Sequence, residues 1–427
     1  MNLEKLIPYE AEIKKCFRCS LCKMAPLAVY RDVRFSNNCP INNYYQFHAW
    51  SGSGQQFMAL ALAQGRIEAD QKLADIVFSC RSCGYCDVAC KYIMDAERHL
   101  VNMALKETLA EGGFAPEEHK AACANIREHG SPFGSPAEPW ENGLGIKQAS
   151  RQKAKVLLWA GCSARHDPRA ARTTRQFARI LQKAKVDFAI LGEGESCCGL
   201  PAYWSGFGDL FTQSAHKAGT AMERSGAKTV VCVCGACLGA MRSKFPAYGV
   251  RVDAEILHAT EYLERLIKKG RLKLEAPEPM RVTYHDPCYL GRQAEPYIHW
   301  KGVEKTAFGQ MTYTDPPKKM RYGTEGVFDA PRAVLNSIPG LDFAEMYRIR
   351  EYALCCGAGG GMAEAHRPMA QKSAASRIEE ARDVGAQCLV TACPHCRNHL
   401  EQTARDNGLD IQVADIVDLT ARAAGIQ

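Results

Sequence analysis

Twenty-one of the 427 residues are cysteine, and most of them stand in repeating spacings. Cys16, Cys19 and Cys22 follow one another at three-residue steps, and Cys39-Pro40 comes later. Cys80, Cys83, Cys86 and then Cys90 repeat the arrangement. Three thiolates at such steps can wrap one corner of an iron–sulfur cubane, and in two-cluster ferredoxins the remote fourth cysteine of each run serves the other cluster. The spacing predicts one [4Fe–4S] cluster on Cys16, Cys19, Cys22 and Cys90, and a second on Cys80, Cys83, Cys86 and Cys39. Two features depart from that pattern without removing a ligand: sixteen residues separate Cys22 from Cys39, and Lys91 rather than proline follows Cys90. Zinc is the competing metal, because four-cysteine zinc sites also use paired Cys-x2-Cys, but zinc does not need triple runs.

Two further sets are longer. Cys162, Cys197-Cys198 and Cys234-x2-Cys237 form one, and Cys288, Cys355-Cys356 and Cys393-x2-Cys396 form the other. Each offers five thiolates, one more than a cubane takes. Adjacent cysteines point apart on a regular backbone. Both can reach one centre only across a bend, which Gly199 and Gly357 permit. Five thiolates converging from strand ends suit an expanded or unusual cluster.

These sets lie among stretches that resemble a known family: His285-Asp-Pro-Cys288-Tyr-Leu-Gly-Arg292, Pro331-Arg332, Ile338-Pro-Gly340 and Cys355-Cys-Gly-Ala-Gly-Gly-Gly361. Over almost its whole length the chain resembles the CCG-domain iron–sulfur family, the D-type heterodisulfide reductase subunits and their relatives. The resemblance implies a two-cluster ferredoxin module fused to tandem cysteine-rich domains. In that family the tandem domains hold non-cubane [4Fe–4S] clusters at which a disulfide can be reduced, while in some relatives one domain holds zinc or serves only electron transfer. Carried over, Cys162, Cys197, Cys198, Cys234 and Cys237 would hold one cluster, and Cys288, Cys355, Cys356, Cys393 and Cys396 the other. Relatives include soluble electron-transfer subunits of large anaerobic complexes, such as that of class II benzoyl-CoA reductase.

The elements that must position these cysteines change along the chain. Residues 1–115 read as an α-helical ferredoxin-like domain, with helix formers at helical spacing over Gln55–Gln64 and Arg98–Glu111. Residues 116–152, rich in glycine and proline, read as an extended connector. From 153 onward short apolar runs (Lys155–Trp159, Val186–Leu191, Thr229–Val233) alternate with helical stretches such as Arg172–Lys183, which predicts α/β units on a mostly parallel sheet. The pattern repeats. Lys155–Cys162 corresponds to Arg281–Cys288, Val231–Cys237 to Leu389–Cys396, and the run from Val250 to the run from Ile411. Two tandem copies are expected, 153–275 and 276–427. The second carries an insertion near 294–328, read either as a partner-docking excursion or as a decorative loop.

Other residues near the cysteines have two readings each. Cys123, Cys232 and Cys388 fall outside all four sets and read as buried core. Thr391 occupies the place matching Cys232, so Cys234 is the better ligand. His285 and His395 are candidates to deliver a proton to a thiolate leaving a cluster; the more modest reading, favoured here, is a hydrogen bond that tunes the sulfurs. His166 carries the same two readings. Gly357–Gly361 lacks the spacing of a dinucleotide loop. No Walker loop or flavin fingerprint is evident, so hydride chemistry is expected in a partner, a flavoprotein or ferredoxin-type donor.

Composition narrows the class. The net charge of +7 comes from 54 basic and 47 acidic residues without a basic block, which gives no argument for nucleic acid. No run approaches the ~18 apolar residues of a membrane span, and the acid-bearing N-terminus does not resemble a secretory signal. The expectation is a cytoplasmic chain, either free or peripheral to a membrane complex, in a reducing compartment where cysteines serve as ligands. The function expected is an iron–sulfur electron-transfer subunit. The alternatives are the catalytic subunit of a disulfide or heterodisulfide reductase, and a zinc-stabilised scaffold.

Overall fold

The computed structural model describes residues 2–26, 31–134, 138–309 and 311–426. Up to residue 115 the described chain is built of short helices, among them Pro40–Tyr45, Gly52–Ala63, Gln71–Phe78, Tyr85–Met94 and Arg98–Glu111. Local chemistry sets where they start. Ser51 accepts a hydrogen bond from the Gly54 N–H, Asp70 accepts one from Leu73, and Pro40 takes the first helical position, where its missing N–H costs nothing. Ala59, Leu62, Leu73, Val77, Phe78, Val101, Leu105 and Leu109 close one apolar core between three of these helices.

Two parallel sheets follow. The first contains β1 (Lys147–Gln148), β2 (Val156–Trp159), β3 (Phe188–Ile190), β4 (Thr229–Cys232) and β5 (Glu255–His258), in the order β1-β3-β2-β4-β5. The second contains β6 (Met280–Tyr284), β9 (Leu341–Phe343), β10 (Cys388–Thr391) and β11 (Gln412–Asp415), in the order β9-β6-β10-β11. Strand for strand, β3-β2-β4-β5 repeats as β9-β6-β10-β11, so the internal duplication is a duplication of topology. Buried strands reading Val-Leu-Leu-Trp and Cys-Leu-Val-Thr, covered on both faces, suit a parallel sheet. One apolar core runs through both halves, from Trp159 and Phe177 to Leu389 and Leu419.

The register of the repeat differs at its last strand. Val230 pairs with Ile256, whereas Leu389, its counterpart, pairs with Val413. Ile256 therefore matches Val413, four residues away from the alignment of Val250 with Ile411. Both stretches scatter apolar residues loosely enough to fit either register. The first copy also spends extra chain in a wide π-helical turn, Ala240–Lys244.

The stretch expected as an extended connector is partly regular. It contains the helix Glu117–His129, with Glu117 and Glu118 in its first turn and left-handed Gly130 closing it, and β1 at the sheet edge. Its glycines and prolines mark the two ends of that helix rather than a continuous loop. The stretch 294–328 holds β7 (Val303–Ala307) and β8 (Met311–Asp315), an antiparallel ribbon forming a sheet of its own.

Candidate metal centre

The two triple-cysteine runs follow the same backbone path. Arg18 and Ser20 have φ of 63° and 69°, and Ser82 and Gly84 have φ of 52° and 74°. These are the residues two and four places after Cys16 and after Cys80. A left-handed residue on each side of the middle cysteine turns successive N–H groups toward one centre, a concavity that suits anionic clusters. Three of the four are not glycine, so each run holds a conformation that costs about 1–2 kcal/mol per residue and persists because its surroundings enforce it.

The helix Tyr85–Met94 carries Cys86 and Cys90 one turn apart. Cys86 lines an enclosed hollow with Cys39, Cys80, Cys83 and Cys22. Cys90 instead meets the Arg98 side chain, whose Nε donates to its Sγ at 3.2 Å, and Arg98 also faces Cys16. Cys22 lies near both groups, and Cys19 is exposed. One helix thus feeds both groups of thiols.

In the α/β halves each five-cysteine set gathers at strand ends. Gly199 (φ +81°) and Gly357 (φ +97°) supply the bend after each cysteine pair, and their N–H groups turn back to Cys197 Sγ (3.4 Å) and Cys355 Sγ (3.5 Å). No side chain fits there: a Cβ on Gly199 would stand 2.7 Å from Ser214 Cβ, and one on Gly357 would stand 2.5 Å from the Ala370 carbonyl oxygen. In each set four cysteines are buried and the first, Cys162 or Cys288, is partly exposed.

The thiols form one continuous chain of contacts. Cys162 meets Cys197, which meets Cys198; Cys198 meets Cys237, and Cys237 meets Cys234. Cys234 crosses to Cys393 of the second half. From there the chain runs through Cys396, Cys356 (Sγ to Sγ 3.2 Å) and Cys355 to Cys288, and Cys355 also meets Cys83 of the N-terminal region. The equivalent thiols Cys198 and Cys356 are held well below the usual thiol range by hydrogen bonds from the thiols on either side. Burial pushes Cys39 and Cys86 well up. Thiolates there require a positive centre close by.

Buried cations surround the thiols. Arg81 is 1% exposed, and none of its three guanidinium nitrogens has a hydrogen-bond partner. Arg292 donates to the carbonyls of Cys83, Glu351 and Ala353, leaving one buried nitrogen unpaired. Lys106 donates to the Cys80 and Trp204 carbonyls and to Ser82. Sequence reasoning met Arg292 only as the end of a motif and missed Arg81 and Lys106. Arg81 hides between two cysteines of one run, and Lys106 sits on a helix where a lysine would ordinarily be solvated.

His285 is fully buried, and its ring nitrogens have different surroundings. Arg377 Nε–H donates to Nδ1 at 3.2 Å, so Nδ1 accepts and the ring proton belongs on Nε2. Nε2 has no partner, and the ring lies with Cys356 and Cys396 in a group whose ligand atoms are within 4.8 Å of one another. Burial, with the Arg377 charge, pushes the imidazole down to about 3, so it is a neutral N–H donor. Arg377 also pairs with Glu380, which Arg348 grips in turn, and Arg348 reaches the Asn37 carbonyl beside Cys39. Burial works against the Glu380 charge, yet the two arginines hold its carboxyl below the ordinary value.

His395 is partly exposed, with its ring edge toward Trp204, and lies near both Cys198 and Cys393. His166 is turned to Ser131 and stacked on Phe133. Cys123, Cys232 and Cys388 are buried, and Cys232 hydrogen-bonds the Leu257 carbonyl. The insertion roofs a cavity of about 760 Å³ that reaches Gly84, Arg292, Gln293 and Lys244. Among the described residues no helix is long and apolar enough to cross a membrane.

An all-sulfur donor set and buried guanidinium groups without counter-ions fit iron–sulfur clusters, which are anionic when held by thiolates. The comparisons with known proteins agree. Residues 12–93 match the 4Fe-4S dicluster domain, and residues 156–242 and 312–401 match the cysteine-rich domain. The chain is 30% identical over 361 residues to the D subunit of the dihydromethanophenazine:CoB--CoM heterodisulfide reductase of Methanosarcina acetivorans, covering 83% of this chain and 80% of that one. With the corresponding protein of Methanosarcina mazei it shares 29% over 97% of this chain and 95% of the relative. With the probable iron-sulfur-binding oxidoreductase FadF of Bacillus subtilis it shares 27%, over 88% of this chain and 50% of that one. A crystal structure of a hypothetical protein from Helicobacter pylori shares the fold, with a TM-score of 0.54 at 10% identity over 100% of this chain and 77% of that one. The chain therefore belongs to the family of D-type heterodisulfide reductase subunits, iron–sulfur oxidoreductase components in which a dicluster domain is joined to two cysteine-rich domains.

Proposed function

We propose that this chain relays electrons between a redox partner at its N-terminal domain and its cysteine-rich domains, within a multi-subunit oxidoreductase. In this reading residues 1–115 are the helical two-cluster module, 116–152 link it to the first cysteine-rich domain at 153–275, and 276–427 form the second. Cys16, Cys19, Cys22 and Cys90 hold one cubane, and Cys39, Cys80, Cys83 and Cys86 hold the other. Each five-cysteine set holds a non-cubane [4Fe–4S] cluster. Clusters held there supply one-electron redox chemistry over a wide range of potentials. The protein's part is to hold the thiolates, exclude water and place cations beside them. The observation that carries the reading is thiol contact across both domain boundaries, Cys83 with Cys355 and Cys234 with Cys393. A flavoprotein or ferredoxin-type protein is the expected donor.

A second reading has an observation of its own. Cys162 and Cys288 are the thiols each set leaves partly exposed. Beside the helix that follows Cys162 lies a cleft of about 660 Å³ lined by Arg165, Arg172 and Arg175 together with Glu138 and Asp167. An anionic disulfide would suit that mainly basic wall, which makes this chain the site of disulfide reduction. Steady-state assay of the anaerobic holoprotein with reduced viologen and the CoM–CoB heterodisulfide separates the two. Cluster reduction without turnover supports the relay, and sustained turnover replaces it with the reductase.

A further inference from the structure

Arg81 lies where two cysteine sets meet. Cys80, next to it in sequence, and Cys83, two residues on, belong to the N-terminal set, and Cys355 and Cys356 of the second α/β half also lie within electrostatic reach of its charge. The loop after those cysteines closes on it: a Cβ on Gly360 would stand 3.2 Å from the Arg81 carbonyl oxygen. The guanidinium is buried with Nε and both terminal nitrogens unpartnered, so among the described residues no carboxylate pairs with it. An uncompensated charge in such a place is strongly unfavourable. Arg292, on the same seam, is held by three carbonyls. Arg81 has no such scaffold, so packing does not account for it.

We propose that Arg81 is a positioning residue that bridges the two centres, donating N–H···S bonds to the cluster held by Cys39, Cys80, Cys83 and Cys86 and to the cluster held by Cys288, Cys355, Cys356, Cys393 and Cys396. Its five N–H groups in a rigid fork can serve two acceptors on opposite sides. A fixed positive charge between two centres favours the reduced, more negative state of both. It also screens each from the charge of the other, so that an electron on one hinders the second less. This inference rests on the relay reading and its ligand sets.

The test is potentiometric EPR of the anaerobic holoprotein, native and with Arg81→Gln and Arg81→Lys. Arg81→Gln lowers both midpoint potentials and widens the interval between them, and Arg81→Lys restores most of the shift. Native chain labelled with 15N-arginine shows, by electron–nuclear double resonance, a guanidinium nitrogen coupled to the reduced centres that is missing in Arg81→Lys. That measurement does not need the glutamine variant to fold. Unchanged potentials in Arg81→Gln, or identical nitrogen couplings in the native and lysine proteins, overturn the bridge and leave the relay standing. A native protein whose second cysteine-rich domain contains zinc removes the ligand set itself, and with it the relay reading.

Discussion

The thiols of Cys234 and Cys393 meet across the seam between the two α/β halves. They are equivalent residues of the repeat, each the first of a Cys-x2-Cys at the end of β4 or β10. The halves are therefore joined through their cysteine sets as well as through the apolar core. Gly235, next in sequence, has Leu290 Cβ 2.9 Å from where its own Cβ would be, so the seam closes only around a hydrogen.

The bends after the paired cysteines set a steep cost for side chains. Gly357→Ala combines a left-handed backbone, about 1–2 kcal/mol, with a collision against the Ala370 carbonyl, about 1–3 kcal/mol. It should lower stability by about 2–5 kcal/mol and empty the second cysteine-rich domain of metal. Gly143→Ala has a similar φ of +78° and open space, and should cost only the backbone part. Thermal unfolding with metal content per chain compares the two.

The neutral His285 is expected to act through its Nε2–H. Nε2 has no partner within the protein, so a sulfur of the bound cluster is the expected acceptor; His285→Phe would then delete a bond worth about 1 kcal/mol, which for one electron is a fall of about 40 mV. Iron content should stay at the native level while one midpoint potential drops. An unchanged set of potentials assigns His285 to packing alone.

Cys232 and Cys234 stand two residues apart and have different fates. Cys234→Ala should remove about four iron atoms. Cys232→Ala should remove none and cost about 1 kcal/mol of stability, because it deletes only a buried thiol against a carbonyl. Iron counting on the two variants decides it.

Acid should unfold the protein partly through His119. Burial, with the Lys106 charge, pushes this imidazole down to about 3, and its Nε2 hydrogen-bonds the Gly361 carbonyl. The unfolded chain binds the proton near the ordinary histidine value of about 6.5. The folded state is thus fully favoured above that value and loses stability as pH falls toward 3. Between pH 7.5 and 5.5 the native protein should lose about 1.4 kcal/mol more than His119→Gln. Melting curves of both at the two pH values give the difference, in which the other buried histidines cancel.

Spacing and glycine placement made much of this legible. The order of the repeat, the bends at Gly199 and Gly357 and the burial of Cys123, Cys232 and Cys388 follow from local rules. The register of β5 on β4 and of β11 on β10 did not, because an apolar strand of four residues fits several registers. Arg81, Lys106 and the path Asn37–Arg348–Glu380–Arg377–His285 were not legible, since they join residues far apart in the chain and depend on which charges the fold buries together. The helix Glu117–His129 was hidden by the turn residues at its two ends.

The most direct test of the account is the metal and sulfide content of anaerobically purified chain, read with EPR during stepwise reduction. About 16 iron atoms with matching sulfide, negligible zinc, and signals broadened by coupling between neighbouring centres are the predicted result. About eight iron atoms with zinc in the cysteine-rich domains would contradict it, and would leave an N-terminal electron carrier attached to a scaffold.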